Sequence, residues 1–204
     1  VPLSVAAIGG NDIRVGKVTG LNDIAMRVPG VAFNEFNVGE PRIYIRGIGN
    51  SSDSAASDQA VGVFLDEVYI GRTGGVGFDL FDLERIEVLR GPQGTLFGKN
   101  TETGAISLNT KKPTEDFEAE VGAEYGRYEM GKFTGYVNGA ITDTLFASAS
   151  GSYQQGDGYY DNIFLNKDVG DWDTTAGRLQ FRWLPSDMFD IRLSGDYTEK
   201  HSDQ

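Results

Sequence analysis

LERIEVLRGPQGTLFGKNTETGAISLNTKKP, from Leu83 to Pro113, is the stretch that decides the fold of this 204-residue chain. Arg85 to Leu89 has the pattern of a strand, and Gly91-Pro92 ends it. Gly94 and Gly98 punctuate the connection after it, and Ala105 to Lys111 reads as a strand again. A glycine-rich connection after a strand invites a phosphate-binding reading. The P-loop pattern G-x-x-x-x-G-K-[ST] fails at both ends, because Gln93 and Asn100 stand where its first glycine and its hydroxyl belong. The dinucleotide fingerprint fails as well, since Gly47-Ile48-Gly49 leads to Ser52 and Gly75-Val76-Gly77 leads to Leu80. The glycines therefore shape a connection between strands.

Composition narrows the chemistry. Without cysteine the chain has no disulfide framework, thiolate metal site or cysteine nucleophile. The single histidine, His201, reads as a solvated residue near a strand end, because one imidazole without a partner makes no metal site. Ser51, Ser52, Ser54 and Ser57 crowd a turn-rich stretch with no histidine near in sequence, so they read as a solvated loop. No catalytic constellation and no cofactor site emerges. No run of about eighteen apolar residues is present, so no helix crosses a membrane, while barrel strands carry a much weaker signal and stay open. The net charge of -12 is uneven: residues 1 to 113 hold eleven Lys and Arg against thirteen Asp and Glu, residues 114 to 204 seven against seventeen. Nucleic acid, which needs a basic footprint, is a poor partner. The shift divides the chain at Pro113-Thr114 into units of residues 1–113 and 114–204.

Beyond the boundary the period is two, in five segments. Ala119, Val121, Ala123 and Tyr125 oppose Glu118, Glu120, Gly122 and Glu124; Phe133, Val137 and Ile141 oppose Thr134, Tyr136 and Asn138. Leu145, Ala147, Ala149 and Tyr153 oppose Ser148, Ser150, Ser152 and Gln154. Leu179, Phe181 and Trp183 then oppose Arg178, Gln180 and Arg182, and Phe189, Ile191, Leu193 and Tyr197 oppose Asp190, Arg192, Ser194 and Asp196. A soluble sandwich of such strands would join its apolar faces. The segments are about ten residues long, which a tilted strand needs to cross hydrocarbon, whereas soluble strands run about five or six. Val121, Val137, Ala147, Leu179 and Leu193 accordingly read as lipid-facing, with the polar residues toward a lumen. On this reading Val137→Arg is costly and Asn138→Arg much milder.

The connections agree with a barrel. Thr142-Asp143-Thr144 and Pro185 to Met188 read as tight turns and Gly156 to Asp173 as a long loop, the contrast between periplasmic and external connections. Tyr125, Tyr153 and Tyr197 then fall at outer strand ends and Trp183 and Phe189 at inner ones, as two aromatic girdles.

Four blocks in order carry a resemblance: RVPGV at Arg27 to Val31, PRIYIRGIG at Pro41 to Gly49, VGVFLDEVYIGR at Val61 to Arg72, and the Leu83 to Pro113 stretch. Together they resemble the plug domain of TonB-dependent outer-membrane receptors. The resemblance implies an α+β plug domain followed by the N-terminal part of an antiparallel transmembrane β-barrel. Leu21 to Val28 reads as a helix, and Val31 to Phe36, Arg42 to Arg46, Val61 to Ile70, Arg85 to Arg90 and Ala105 to Lys111 as extended runs. Asp66-Glu67 stands where family members usually have Asp-Gly, so either another turn type forms or Glu67 is strained. The family's barrel has about twenty-two strands. Five cannot close, so the chain reads as a fragment, with the signal peptide and the TonB-contacting segment expected upstream.

By resemblance the protein is an energised importer of a scarce nutrient such as a ferric siderophore, in the outer membrane of a bacterium, working with TonB, ExbB and ExbD. Arg46 and Arg90, each ending a strand fit for burial, pair in this picture with carboxylates of the barrel wall; the alternative is an exposed strand-end charge. The plug apex would present Asn34, Phe36, Asn37, Tyr69 and Arg72 to an organic ligand with some negative charge, although Arg72 reads equally as a solvated cation. A passive channel, a secretion pore or a soluble β-rich binding protein are the rival readings.

Overall fold

The computed structural model describes residues 4–15, 18, 21–37, 40–49, 59–71, 82–157, 160–162 and 167–202. It falls into two compact units, Val1–Lys111 and Lys112–Gln204.

The first unit is built on a mixed five-stranded sheet of order β1-β7-β8-β5-β6, formed by β1 (Ser4–Gly9), β5 (Val61–Leu65), β6 (Val68–Tyr69), β7 (Leu83–Arg90) and β8 (Gly104–Thr110). Only the β5–β8 pairing is parallel. Alternation in β7 decides its two faces. Ile86 and Val88 are fully buried in the main core with Ile106 and Leu108 of β8. Leu89 points the other way, into a smaller cluster with Phe64 and Ala105. A second sheet, β2-β3-β4, comprises β2 (Val31–Asn37), β3 (Glu40–Ile45) and β4 (Ile48–Gly49). Helix α1 is Gly10–Val15 and helix α2 is Leu21–Arg27; a one-turn α3 is Gly94–Phe97. Ile24 and Val28, four residues apart on one side, are buried in the core, as their helical spacing requires.

The β5–β6 hairpin settles the Asp66-Glu67 question. Asp66 has φ 47° and Glu67 φ 71°, so both turn residues are left-handed, the signature of a type I′ turn. Asp66 is held there: its carboxylate accepts from the Thr110 N–H at 2.9 Å and from the Thr110 hydroxyl at 2.7 Å. Glu67 carries the strain. Glu67→Gly is expected to stabilise the unit by about 1 kcal/mol, read from its urea midpoint; an unchanged or lower midpoint would contradict the strain.

The second unit is an antiparallel meander of order β15-β14-β11-β10-β9, in which β9 is Glu118–Tyr125, β10 Gly131–Thr142, β11 Leu145–Gly156, β14 Trp172–Ser186 and β15 Phe189–Ser202. These match the five alternating segments, with β14 beginning earlier than alternation shows. The expected long loop after β11 instead contains a small ribbon of β12 (Tyr160–Asn162) and β13 (Lys167–Val169). The two tight turns narrow to Asp143-Thr144 and Asp187-Met188. In the first, the Thr142 hydroxyl accepts from the Leu145 N–H at 3.1 Å.

Register puts like with like. Ala119, Val137, Ala149 and Leu179 form one row across four strands, and Glu118, Asn138, Ser148 and Gln180 the row beside it on the other face. The apolar face points out: Val121 is 77% and Leu193 69% exposed, and Val137 and Leu179 are exposed, with Ala147 half-buried. Asn138, Ser148, Ser152, Thr174, Arg178 and Gln180 are buried. This inverts the order of a soluble sandwich, which buries its apolar face. Asn138 lies on the polar face as expected, but it is not a mild site: it is 2% exposed and fully engaged, so Asn138→Arg would bury an unpaired cation.

Candidate functional site

The connection from Arg90 to Gly104 is pinned at several points. Gly91 N–H donates to Thr103 O at 2.9 Å, and the N–H of buried Gln93 to Thr101 O at 3.0 Å. The Gln93 carbonyl then accepts from the Leu96 and Phe97 N–H groups, closing the α3 turn. Gly98 ends it at φ 77°, ψ -152°, a region essentially reserved for glycine. Thr101 Oγ1 donates to Gly98 O at 2.8 Å, and Thr103 sends both its N–H and its hydroxyl to Ala60 O. The connection re-enters β8 at Gly104, where a Cβ would stand 2.4 Å from the Leu89 carbonyl and 2.7 Å from Ile45 Cδ1. Gly104→Ala is expected to destabilise this unit by about 1 to 3 kcal/mol, since backbone cannot step aside; an unchanged urea midpoint would show that the strands spread freely.

The two arginines that close apolar runs differ. Arg46, with φ 54°, directly follows β3, whose Ile43 and Ile45 are buried, but is itself an exposed turn residue between β3 and β4, the exposed-charge alternative; its N–H donates to Gly30 O at 2.6 Å. Arg90 is half-buried at the end of β7, and its Nε is buried with no hydrogen-bond partner. A buried guanidinium donor without an acceptor is costly.

The residues expected at a ligand-facing apex are divided. Phe33 to Pro41, read as a loop, is mostly strand: Asn34, Phe36 and Asn37 lie on β2, with Asn34 exposed opposite Arg42. Tyr69 lies on β6 in the other sheet. It is half-buried, packs its ring 5.5 Å from that of Phe64, and accepts at its hydroxyl from Asn100 Nδ2 at 3.0 Å. Tyr69 is thus a packed strut in the cluster that also receives Phe97. Arg72 and the four serines lie outside the described residues.

On the polar face of the second unit, Arg178 pairs with Asp196, and Arg182 grips Asp190 with two donors at 3.0 and 2.9 Å. These cross-strand pairs, the second of them bidentate, satisfy charges that alternation places on the polar face. No group of three or more metal-ligating side chains occurs among the described residues. Alternation alone missed two features. One is the contact of Asn138 with Thr114 and Asp116. The other is exposed Phe117, which shares the outward parity of Ala119 one step beyond the start of β9.

Residues 1–105 match the TonB-dependent Receptor Plug Domain family, and the chain belongs to that family. The Catecholate siderophore receptor Fiu of Escherichia coli K12 is 32% identical over 133 residues, 62% of this chain and 16% of the relative. The Pesticin receptor of Yersinia enterocolitica is 28% identical over 191 residues, 91% of this chain and 28% of the relative. The ferric yersiniabactin uptake receptor FyuA of Yersinia pestis superposes with a TM-score of 0.87 at 24% identity, over 97% of this chain and 32% of that one. The chain thus spans less than a third of these relatives. The pyoverdine outer membrane receptor FpvA of Pseudomonas aeruginosa shares the fold at a TM-score of 0.80 and 18% identity, over 98% of this chain and 28% of that one.

Proposed function

We propose that this chain is the plug and first barrel strands of a bacterial outer-membrane receptor that imports a ferric siderophore with energy delivered through TonB, ExbB and ExbD. The observation that carries the membrane reading is the inverted sheet of the second unit, apolar outside and polar within. Its aromatic residues support the same reading. Phe117 just ahead of β9 and Tyr125 at its end, and Phe189 and Tyr197 on β15, are each eight residues apart on the outward face. Eight residues span roughly 27 Å of strand, or roughly 21 Å of membrane at a tilt of about 40°, close to the apolar band of such barrels.

The stagger agrees as well. Tyr125, Tyr153 and Tyr197 step down one outward row per two strands, about one residue per strand. With strands about 4.8 Å apart, that shift levels the three rings at a tilt of about 35°. The Tyr153 hydroxyl donates to Gln155 and that of Tyr197 to Glu199, each two residues further toward the rim, so the polar ends point out of the apolar band. Trp183 and Phe189 step in the same sense at the inner end.

The siderophore assignment rests on relatives named for catecholate siderophore, ferric yersiniabactin and pyoverdine. We assign Arg90 to a carboxylate of the barrel wall beyond this chain, because its buried Nε calls for an acceptor. Exposed Asn34 on the β2–β3 hairpin is kept as the candidate ligand surface. The full-length protein, expressed in iron-starved cells lacking their own siderophore receptors, is expected to take up a labelled ferric siderophore only when TonB is intact. Uptake that survives loss of TonB would overturn the proposal in favour of a passive channel.

A further inference from the structure

The segment from Pro113 to Phe117 leads into β9, and one side chain of the wall holds it. Asn138 Oδ1 accepts from the Thr114 N–H at 3.0 Å. Its Nδ2 donates to Thr114 Oγ1 at 2.8 Å and to the Asp116 carbonyl at 2.7 Å. One buried primary amide thereby commits its acceptor and both donors to a segment far away in sequence. Arg182 adds a donor to the Pro113 carbonyl at 3.4 Å while holding Asp190 with its other nitrogens. Pro113 is itself fully buried and brings no N–H of its own that needs a partner.

The location matters more than the number of bonds. Asn138 is also the register partner of Glu118, the first residue of β9, so the amide sits directly ahead of the first rung of the β9–β10 ladder. A pull on the chain from the first unit reaches Thr114 before it reaches that rung. The two Thr114 bonds bear such a pull together. A ladder pulled from its end opens one rung at a time, which needs much less force.

We propose that Asn138 is a mechanical anchor, a positioning residue that stops force applied to the plug at Pro113-Thr114 and keeps it out of the barrel wall. Its biological use rests on the energised-uptake reading, since a passive pore would have no such force to stop. Its physics does not. The first unit extends and recoils on one side of the anchor, and β9 stays paired on the other.

The test is single-molecule pulling on the full-length protein in a lipid bilayer, through a handle ahead of Val1. The parent is expected to show a distinct force step once the chain up to Pro113 is drawn out, before any strand leaves the sheet. Thr114→Val, which changes no strand residue and keeps the backbone bond to Asn138, is expected to lower that step to about half. Asn138→Ala is expected to abolish it, so that β9 follows the plug without a pause. Later steps for β14 and β15 should be unchanged in both, which reports an intact wall. If Asn138→Ala fails to assemble, Thr114→Val decides alone. No step at Pro113 in the parent, or an undiminished step in Thr114→Val, overturns the anchor. Uptake in cells with and without TonB is measured separately, and loss of TonB dependence there would overturn the importer while leaving the pulling result standing.

Discussion

Val137→Arg in the full-length protein is expected to destabilise the barrel by about 2 to 4 kcal/mol, the cost of a cation on the lipid face near the middle of the membrane. Val137 lies in the outward row Ala119, Val137, Ala149 and Leu179, between the aromatic ends of its neighbouring strands, so its side chain has no aqueous escape nearby. Its neighbour Asn138 is a poor control, because replacing it removes the amide that holds Thr114 and Asp116. The pair Leu193 and Ser194 is cleaner. Both are exposed, they are adjacent on β15, and they point to opposite faces. Leu193→Arg should follow Val137→Arg, whereas Ser194→Arg should cost no more than about 1 kcal/mol. Urea midpoints of the folded barrel in detergent or lipid give the comparison. Equal costs at 193 and 194, or a greater one at 194, would reverse the faces and remove the lipid assignment.

How much of this molecule is legible in its sequence depends on how strong and how local each constraint is. On the barrel reading, lipid on one side and a polar interior on the other impose a period of two on every spanning strand, so the five strands and the outward faces of Val121, Leu179 and Leu193 stand out from alternation alone. The first half of β14 does not, because Asp173 to Gly177 is polar or small and lies toward the rim. Strand β1 also escapes notice: SVAAIG has no alternation of its own and becomes a strand by pairing with β7 from Ser4–Arg90 to Gly9–Arg85.

At the site the same distinction holds. The positive φ of Asp66 and Glu67 stems from a hairpin position visible in VGVFLDEVYIG, yet the partner that steadies Asp66 is Thr110, 44 residues away. Tyr69 reads as a free aromatic in sequence because nothing local announces Phe64 and Asn100 beside it. Arg46 and Arg90 look alike as cations closing apolar runs. They separate only when Arg46 adopts a left-handed turn and Arg90 remains on a strand with its Nε shut away from water.

Different consequences are therefore expected of the two arginines. Arg90→Ala in the full-length protein should cost about 3 to 5 kcal/mol of plug–wall attachment if it leaves a buried carboxylate unpaired. Arg46→Ala should cost much less, because an exposed turn cation has its charge solvated already. Asn34, the proposed ligand-facing residue, lies on a different sheet from Arg90, so ligand binding should stay near normal in both variants. What should change in Arg90→Ala is the state of the gate: altered TonB-dependent uptake, or more leak of small solutes through the barrel. Arg90→Lys separates charge from geometry, since a lysine restores the cation but not the fixed fork of donors that a carboxylate accepts side by side. Binding, uptake and sensitivity to large antibiotics are to be measured together on surface-expressed protein at matched amounts. Unchanged uptake and leak in Arg90→Ala would mean that Arg90 pairs with no wall carboxylate, and that the plug is held to the wall by other residues.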